Sequence, residues 1–262
     1  MEQIGAIFNL LLINPTFNIL LVFIFVFTSL SIPGSLGLAI VALTSLFRLA
    51  FNPFYKKQAE MAIQMEEIRP KIEKLQKKYK GDQQKLQQEQ MKLYQEKGIN
   101  PASGCLVAIV QLPIILALYR VLLKFFETDI SEVGEMLKGI AYADFLKDLP
   151  IDPWFLGFNL SYTPSHFQEH GIQYLAIPII TAGLQYLQVV QSQPKKKEES
   201  KKDNKKKDEK KDESFQAMFQ KQMKFMFPLM IGYFSYILPV GLALYWNVFS
   251  LFSILQMRKQ KK

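Results

Sequence analysis

The sequence is poor in the residues that most chemistry needs. It has one cysteine and two histidines among 262 residues. Cys105 has no partner for an intrachain disulfide, and neither it nor His166 and His170 stand in a metal-ligand arrangement, so no metal site is expected. No Gly-rich phosphate-binding loop is present, so neither a nucleotide-driven step nor a small-molecule cofactor is expected. Charge is also missing from long stretches. Arg48 is the only charged residue between Glu2 and Lys56, and no Asp or Glu falls inside any of the later apolar runs. A soluble domain would interleave charged and apolar residues. Here they are sorted into separate blocks, several of which approach the roughly 20 residues needed to cross about 30 Å of hydrocarbon. No basic region precedes the first apolar stretch, and no small-residue cleavage site with a lipobox-like cysteine follows it, so a cleaved signal peptide is not expected.

The apolar blocks predict an all-α, polytopic membrane protein with a five-helix core. Residues 1–33 are apolar but interrupted by Asn14, Pro15 and Asn18 and closed by Pro33-Gly34. That pattern suggests an interfacial helix, with a full span as the alternative. The spans are expected at 34–55, 101–126, 171–192, 216–238 and 239–257. Between the first two, 56–100 reads as a soluble helical hairpin. Its first arm carries Met61, Met65, Ile68, Ile72 and Leu75 at alternating steps of four and three, the stripe of an amphipathic helix. Pro70 should kink that arm. Gly81-Asp82 turns the chain, and Gly98 with Pro101 stops the second arm. The tract 193–215 is too polar and lysine-rich to build a core and is expected to be disordered. Residues 258–262 form a basic tail.

Charge then orients the chain. The hairpin, the tract with ten lysines between Lys195 and Lys211, and the tail with Arg258 and Lys259 are basic. The loop 127–170 is acidic. Five spans place all three basic segments in the cytoplasm and the acidic loop outside, as the positive-inside rule asks. The net charge of +9 therefore points first to orientation in the bilayer rather than to nucleic acid.

Arg48 is the residue of most interest. It is expected about eight residues, or roughly 12 Å, inside the cytoplasmic end of its span. An arginine there costs roughly 2.5–3.5 kcal/mol on insertion scales, and with no carboxylate in the spans it needs water or neutral polar groups. Thr44 lies one turn earlier on the same side. Gln111, Gln185, Gln188, Tyr245, Trp246 and Asn247 complete a candidate polar lining, which together suggests a hydrophilic groove open to the cytoplasm. The plainer alternative is that Arg48 snorkels to lipid phosphates, the glutamines bond helix to helix, and Tyr245 and Trp246 anchor at the interface. For the hairpin stripe the alternatives are packing of one arm on the other, transient contact with hydrophobic clients, or lying on the bilayer. Lys195, Lys196, Lys197, Lys205, Lys206, Lys207, Arg258 and Lys259 are either a solvated surface or a contact for anionic lipid or ribosomal RNA.

Four stretches together resemble a known family. These are ALTSLFRLAFNPFYKKQ, the hairpin IRPKIEKLQKKYKGDQQKLQQEQMKLYQEKGINP, GCLVAIVQLPIILALYR and LPVGLALYWNVFSLFSILQ. They are similar to the YidC family of membrane insertases, which is related to the Oxa and Albino proteins of organelles. The resemblance covers nearly the whole chain. It implies a five-helix core with an inward-open groove, in which Arg48 is the groove arginine, Thr44 its neighbour, and Gln188 and Trp246 further groove positions. It also implies a mobile cytoplasmic hairpin and an interfacial amino-terminal helix. The large periplasmic domain of Gram-negative members and the lipoprotein cysteine of many Gram-positive ones are absent from this sequence. The lysine tract is longer than in minimal members.

The resulting expectation is a non-enzymatic insertase of a bacterial cell membrane. Its partners would be nascent membrane proteins, with the ribosome, the Sec translocon and anionic lipids as further candidates. The alternatives are a channel or transporter for small anionic solutes that uses Arg48, and a coiled-coil membrane scaffold. No paired half-helices or inverted repeat supports the transporter.

Overall fold

The computed structural model describes residues 6–7, 9–79, 81–99, 116, 119, 139–147, 149–192 and 215–260. Nearly all of the expected second span, Gln111 included, lies outside the described residues, as do Lys195, Lys196, Lys197, Lys205, Lys206 and Lys207.

The chain begins with a π-helical turn, Asn9–Ile13, that runs directly into helix α1, Asn14–Ser29. The polar residues expected to interrupt this segment do not. Pro15 sits in the first turn, where its missing N–H is no loss. The Asn18 side chain donates to the carbonyls of Asn14 (2.9 Å) and Ile140 (3.0 Å) and accepts from the Tyr142 N–H (2.7 Å). The helix is therefore continuous from Asn9 to Ser29, and its 21 residues with mean hydropathy 2.4 are long and apolar enough to cross a membrane.

Helix α2, Ser35–Ala50, follows after Gly34. The single span expected at 34–55 does not form as one helix. The chain bends by 67° at Phe51 and continues as α3, Asn52–Lys78. Pro53 explains the break, because it lacks the N–H that would extend the ladder to the Leu49 carbonyl. Helix α3 forms the first hairpin arm and runs through Pro70. After the turn at Gly81 (φ 97°), Asp82 caps α4, Gln83–Glu96, by accepting the Lys85 N–H at 3.0 Å. Ile68 and Ile72 of α3 are buried against Leu93, Tyr94 and Ile99, flanked by Met65 and Leu75. The two arms thus share a small core of their own.

The loop before the third expected span holds the only strands among the described residues. These are β1, Trp154–Phe155, and β2, Phe158–Asn159, antiparallel with Trp154 opposite Asn159 and Phe155 opposite Phe158. After a single helical turn at Phe167–His170, three longer helices follow among the described residues: α5, Ala176–Ser192; α6, Phe215–Ile237; and α7, Val240–Gln260. The architecture is all-α apart from the short hairpin, and α7 alone is also long and apolar enough to span a membrane.

The helices stand in a row in which α1 packs on α2, α2 on α7, α7 on α5 and α5 on α6. Their polarity is inverted relative to a soluble protein. Ile179, Leu229 and Leu255 are exposed at 72, 68 and 61 %, whereas Thr181, Ser235 and Ser250 are exposed at 0 %. Water would reverse that order, and hydrocarbon favours it. Apolar side chains also fill the seam between α1 and α2, where Phe17, Leu20, Ile24, Leu36 and Ile40 are fully buried.

The β-hairpin is fitted to the start of α2. A Cβ on Gly37 would lie 2.2 Å from Cγ of Phe155, so the ring occupies the space that a larger residue would need. Gly37→Ala is expected to lower thermal stability in detergent by about 1–3 kcal/mol through overpacking. In a Phe155→Ala background most of that loss should vanish, and equal losses in both backgrounds would show that the ring is not the obstacle.

Candidate functional site

Arg48 lies in the last turn of α2, not deep within a longer span, because the helix ends at Ala50. That position has a physical consequence. The carbonyl end of a helix carries partial negative charge and favours a cation by about 0.3–1 kcal/mol, more when partly buried. The side chain is 6 % exposed and turns inward toward α7 rather than outward toward lipid headgroups. Its Nη2 donates to the Phe249 carbonyl at 3.3 Å and to the Ser253 hydroxyl. The guanidinium carbon lies 4.2 Å from the centre of the Tyr55 ring and 4.3 Å from that of Phe249. The two rings meet edge to face with centres 5.9 Å apart. Among the described residues, the Phe249 carbonyl, the Ser253 hydroxyl and the rings of Tyr55 and Phe249 hold Arg48, all of them neutral.

Each partner is placed by ordinary helix geometry. Phe249 and Ser253 are four residues apart on α7 and so lie on one face. The Ser253 hydroxyl also donates to the Phe249 carbonyl at 3.0 Å, which fixes its orientation. Tyr55 comes from the first turn of α3, so the base of the hairpin is in direct contact with the buried cation. Tyr245 extends the aromatic group, with its ring centre 6.1 Å from that of Phe249.

The other candidate residues are placed as follows. Thr44 is buried one turn before Arg48, and its hydroxyl donates to the Ile40 carbonyl of its own helix at 2.7 Å. Gln185 is buried on α5 and Gln188 is half-buried on the same face. Tyr245 and Trp246 are buried and belong to the main apolar core with Leu36, Ile40 and Leu43. Asn247 and Ser250 on α7 each carry a buried side-chain oxygen without a hydrogen-bond partner among the described residues, as does Gln191 on α5. These buried polar atoms lie on α5 and α7, two helices that pack together. In the hairpin, Met65 and Leu75 flank the shared core, and Met61 is half-buried. Arg258 and Lys259 lie exposed in the last turn of α7.

Sequence reasoning missed Tyr55, Phe249 and Ser253. The one available signal was spacing, since Tyr55 follows Arg48 by seven residues. Two clefts are present elsewhere, one of about 360 Å³ between α1 and the loop at Tyr142–Leu146, the other of about 300 Å³ beside Thr28 and Asp152. Neither touches Arg48.

An α-helical bundle with a strongly apolar exterior and, among the described residues, one buried cation defines a polytopic membrane protein. A family model described as the 60Kd inner membrane protein matches residues 26–262, and the chain belongs to that family. Its relatives include the inner membrane ALBINO3-like protein 2 of the chloroplast of Chlamydomonas reinhardtii, 30 % identical over 86 % of this chain and 49 % of the relative. The membrane protein insertase YidC of Treponema denticola is 30 % identical over 84 % of this chain and 33 % of its own. The crystal structure of an active YidC insertase with its first transmembrane domain resolved superposes with TM-score 0.56 at 26 % identity, over 94 % of this chain and 46 % of that one. The chain therefore spans about half the length of the chloroplast relative and a third of the bacterial one.

The geometry predicts energetic coupling across the ring stack. A desolvated cation–π contact contributes about 2 kcal/mol, so Tyr55→Leu and Arg48→Met should be markedly non-additive in a double-mutant cycle of thermal unfolding. Additive losses would mean that the ring only fills space.

Proposed function

We propose that this chain is a membrane protein insertase of a bacterial cell membrane, which moves nascent membrane proteins from the cytoplasm into the bilayer without an enzymatic step. The family and the relatives called insertases support this, and one observation carries the mechanism. A single arginine is buried at the end of a helix and, among the described residues, has only neutral partners, so its positive charge is stabilised but not cancelled. A carboxylate at that place would neutralise it. As it stands, the site keeps an attraction for acidic groups of an arriving chain.

The groove proposed here would run from Arg48 and Thr44 along the polar contact of α5 and α7, past Gln185 and Gln188, with Gln111 on the second span and Tyr245 and Trp246 at its back. Polar flanks of a client would slide into it while the apolar helix leaves sideways into lipid. The work done is a lowered desolvation barrier, since polar groups crossing hydrocarbon without partners cost several kcal/mol each. Helix length assists: the 16 residues of α2 cover only about 24 Å at 1.5 Å per residue. That is less than the roughly 30 Å of an ordinary hydrocarbon core, which favours local thinning of the bilayer.

Helix α1 is proposed to lie at the outer interface, even though it is long enough to cross. Asn18, near its middle, is tied to the backbone at Ile140 and Tyr142, and Phe25 packs on Phe145 with ring centres 4.9 Å apart. Asp144 and Lys147 in that loop form an ion pair at 2.5 Å, and the Lys147 hydrogen bond holds the Asp144 carboxyl below its usual range. A crossing α1 would carry this charged loop toward the bilayer centre. The hairpin is proposed to receive clients in the cytoplasm. Because Ile68 and Ile72 are spent on the hairpin core, Met61 and the outer edges of Met65 and Leu75 are the parts of the stripe suited to contact. The lysine tract and the tail at Arg258 and Lys259 would bind the ribosome or anionic lipid, and the Sec translocon is a further possible partner.

In proteoliposomes, Arg48→Ala is expected to reduce insertion of clients whose translocated segments carry acidic residues, with Arg48→Lys recovering part of it. Unchanged insertion of every client would remove Arg48 from the mechanism, and anion flux through the empty protein would favour a channel. Deleting 195–211 should reduce ribosome co-sedimentation at low salt and make little difference at high salt, because phosphate contacts weaken steeply with ionic strength.

A further inference from the structure

The β-hairpin tip carries a feature that neither the fold nor the proposed mechanism uses. Leu156 and Gly157 form its two-residue turn, and both have positive φ, 51° and 83°. Such turns normally take Asn-Gly or Asp-Gly, because a left-handed conformation crowds a larger side chain. Leucine is here despite that strain, and its side chain does not pack inward. Leu156 is 83 % exposed, the highest value of any large apolar residue among those described, and neighbouring Trp154 is 50 % exposed. Exposure to water would add a second penalty to the first.

The depth of the tip removes the contradiction. Phe155, next to Leu156, fills the notch at Gly34 and Gly37, so the hairpin is pinned beside the first turn of α2. A crossing α2 of 16 residues would be shorter than the hydrocarbon core, so its first turn would lie at the edge of the hydrocarbon rather than in bulk water. Consecutive Cα atoms are about 3.8 Å apart, so Leu156 cannot be far from that edge. The polar end of the hairpin lies at its base, where Asp152 accepts the Trp154 N–H at 3.0 Å. Apolar tip, aromatic shoulder and polar base reproduce the gradient of a membrane interface, in which tryptophan is favoured.

We propose that residues 154–159 are an interfacial anchor that dips Leu156 and Trp154 into the headgroup and upper acyl region of the bilayer, with lipid as the partner. The order of exposed apolar tip, half-exposed tryptophan and polar base argues for lipid as the occupant. The anchor would hold the outer end of α2, and through that helix Arg48, at constant depth. The inference rests on α2 crossing the membrane, and its test does not depend on insertion activity.

The chain has two tryptophans, so Trp246→Phe leaves Trp154 as the sole reporter in the full-length protein. In phosphatidylcholine vesicles, lipids brominated near the headgroup should quench Trp154 emission about two-fold, and lipids brominated near the chain ends much less, as for an interfacial tryptophan. Leu156→Asn suits the turn and should keep the fold, with thermal stability in detergent retained or raised. In vesicles it should lose most of the shallow quenching. Emission quenched by aqueous iodide and by neither lipid would place the tip in water and overturn the proposal. Protection from both iodide and brominated lipid would point to a protein cover and overturn it equally. Unchanged shallow quenching in Leu156→Asn would show that Leu156 does not hold the tip in place.

Discussion

Hydrocarbon cannot solvate a cation, and the arrangement around Arg48 is an answer to that constraint. Hydrogen bonds to a charged group contribute about 1.5–3 kcal/mol each, and a desolvated cation–π contact about 2 kcal/mol. These are the same size as the roughly 2.5–3.5 kcal/mol that insertion of an arginine costs. The Phe249 carbonyl, the Ser253 hydroxyl and the two rings therefore suffice to keep the guanidinium inside without a carboxylate. Position helps as well, because the bend at Phe51 brings the carbonyl end of α2 to the same place. Arg48 on α2 and its partners on α3 and α7 bring three helices together, so the charge also joins the base of the hairpin to the bundle.

That junction gives the hairpin its place in the structure. Its own core of Ile68, Ile72, Leu93, Tyr94 and Ile99 is separate from the main core, and among the described residues the first turn of α3 connects the two. Tyr55 stacks on Arg48 there, and Gln256 donates to Asn52 at 3.5 Å. A unit with its own core and a narrow base can swing more readily than one packed along its length. The ring that would be disturbed by such a swing is the one that shields the cation.

Much of this fold was legible in the sequence, and the failures have definite causes. The hairpin turn at Gly81-Asp82 and the reversal before Val240 follow from residues whose backbone preferences leave few options. The apolar blocks at 176–192 and 240–260 announce themselves by length and composition. The break at Ala50 was missed because an apolar run does not reveal where its helix ends, although Pro53 marked the spot. Asn18 looked like an interruption because its partners, Ile140 and Tyr142, are more than a hundred residues away, and Pro15 because a proline in the first turn of a helix reads like a breaker. Arg48 stood out at once as a lone charge. Tyr55 and Phe249 did not, since an aromatic residue in an apolar setting is unremarkable until a cation is found against its face. The turn at Leu156-Gly157 was hidden for the opposite reason: leucine is a poor signal for a left-handed residue.

Neutral ligation also decides what kind of attraction the site can exert. Carbonyl and hydroxyl dipoles and ring quadrupoles lower the energy of the guanidinium, but their fields fall off faster with distance than that of the unit charge they surround. A carboxylate in the bundle would have stabilised Arg48 and removed its long-range field as well. Two unit charges 4 Å apart attract by about 4 kcal/mol at an effective dielectric constant of 20, against about 1 kcal/mol in water. An acidic client group approaching Arg48 inside the bundle would therefore be held more strongly than at any lysine of the exposed hairpin. The contact needs to be strong enough to draw a polar segment in and weak enough to release it. On the proposed mechanism, neutral partners in place of a fixed ion pair would leave both steps within reach of thermal motion.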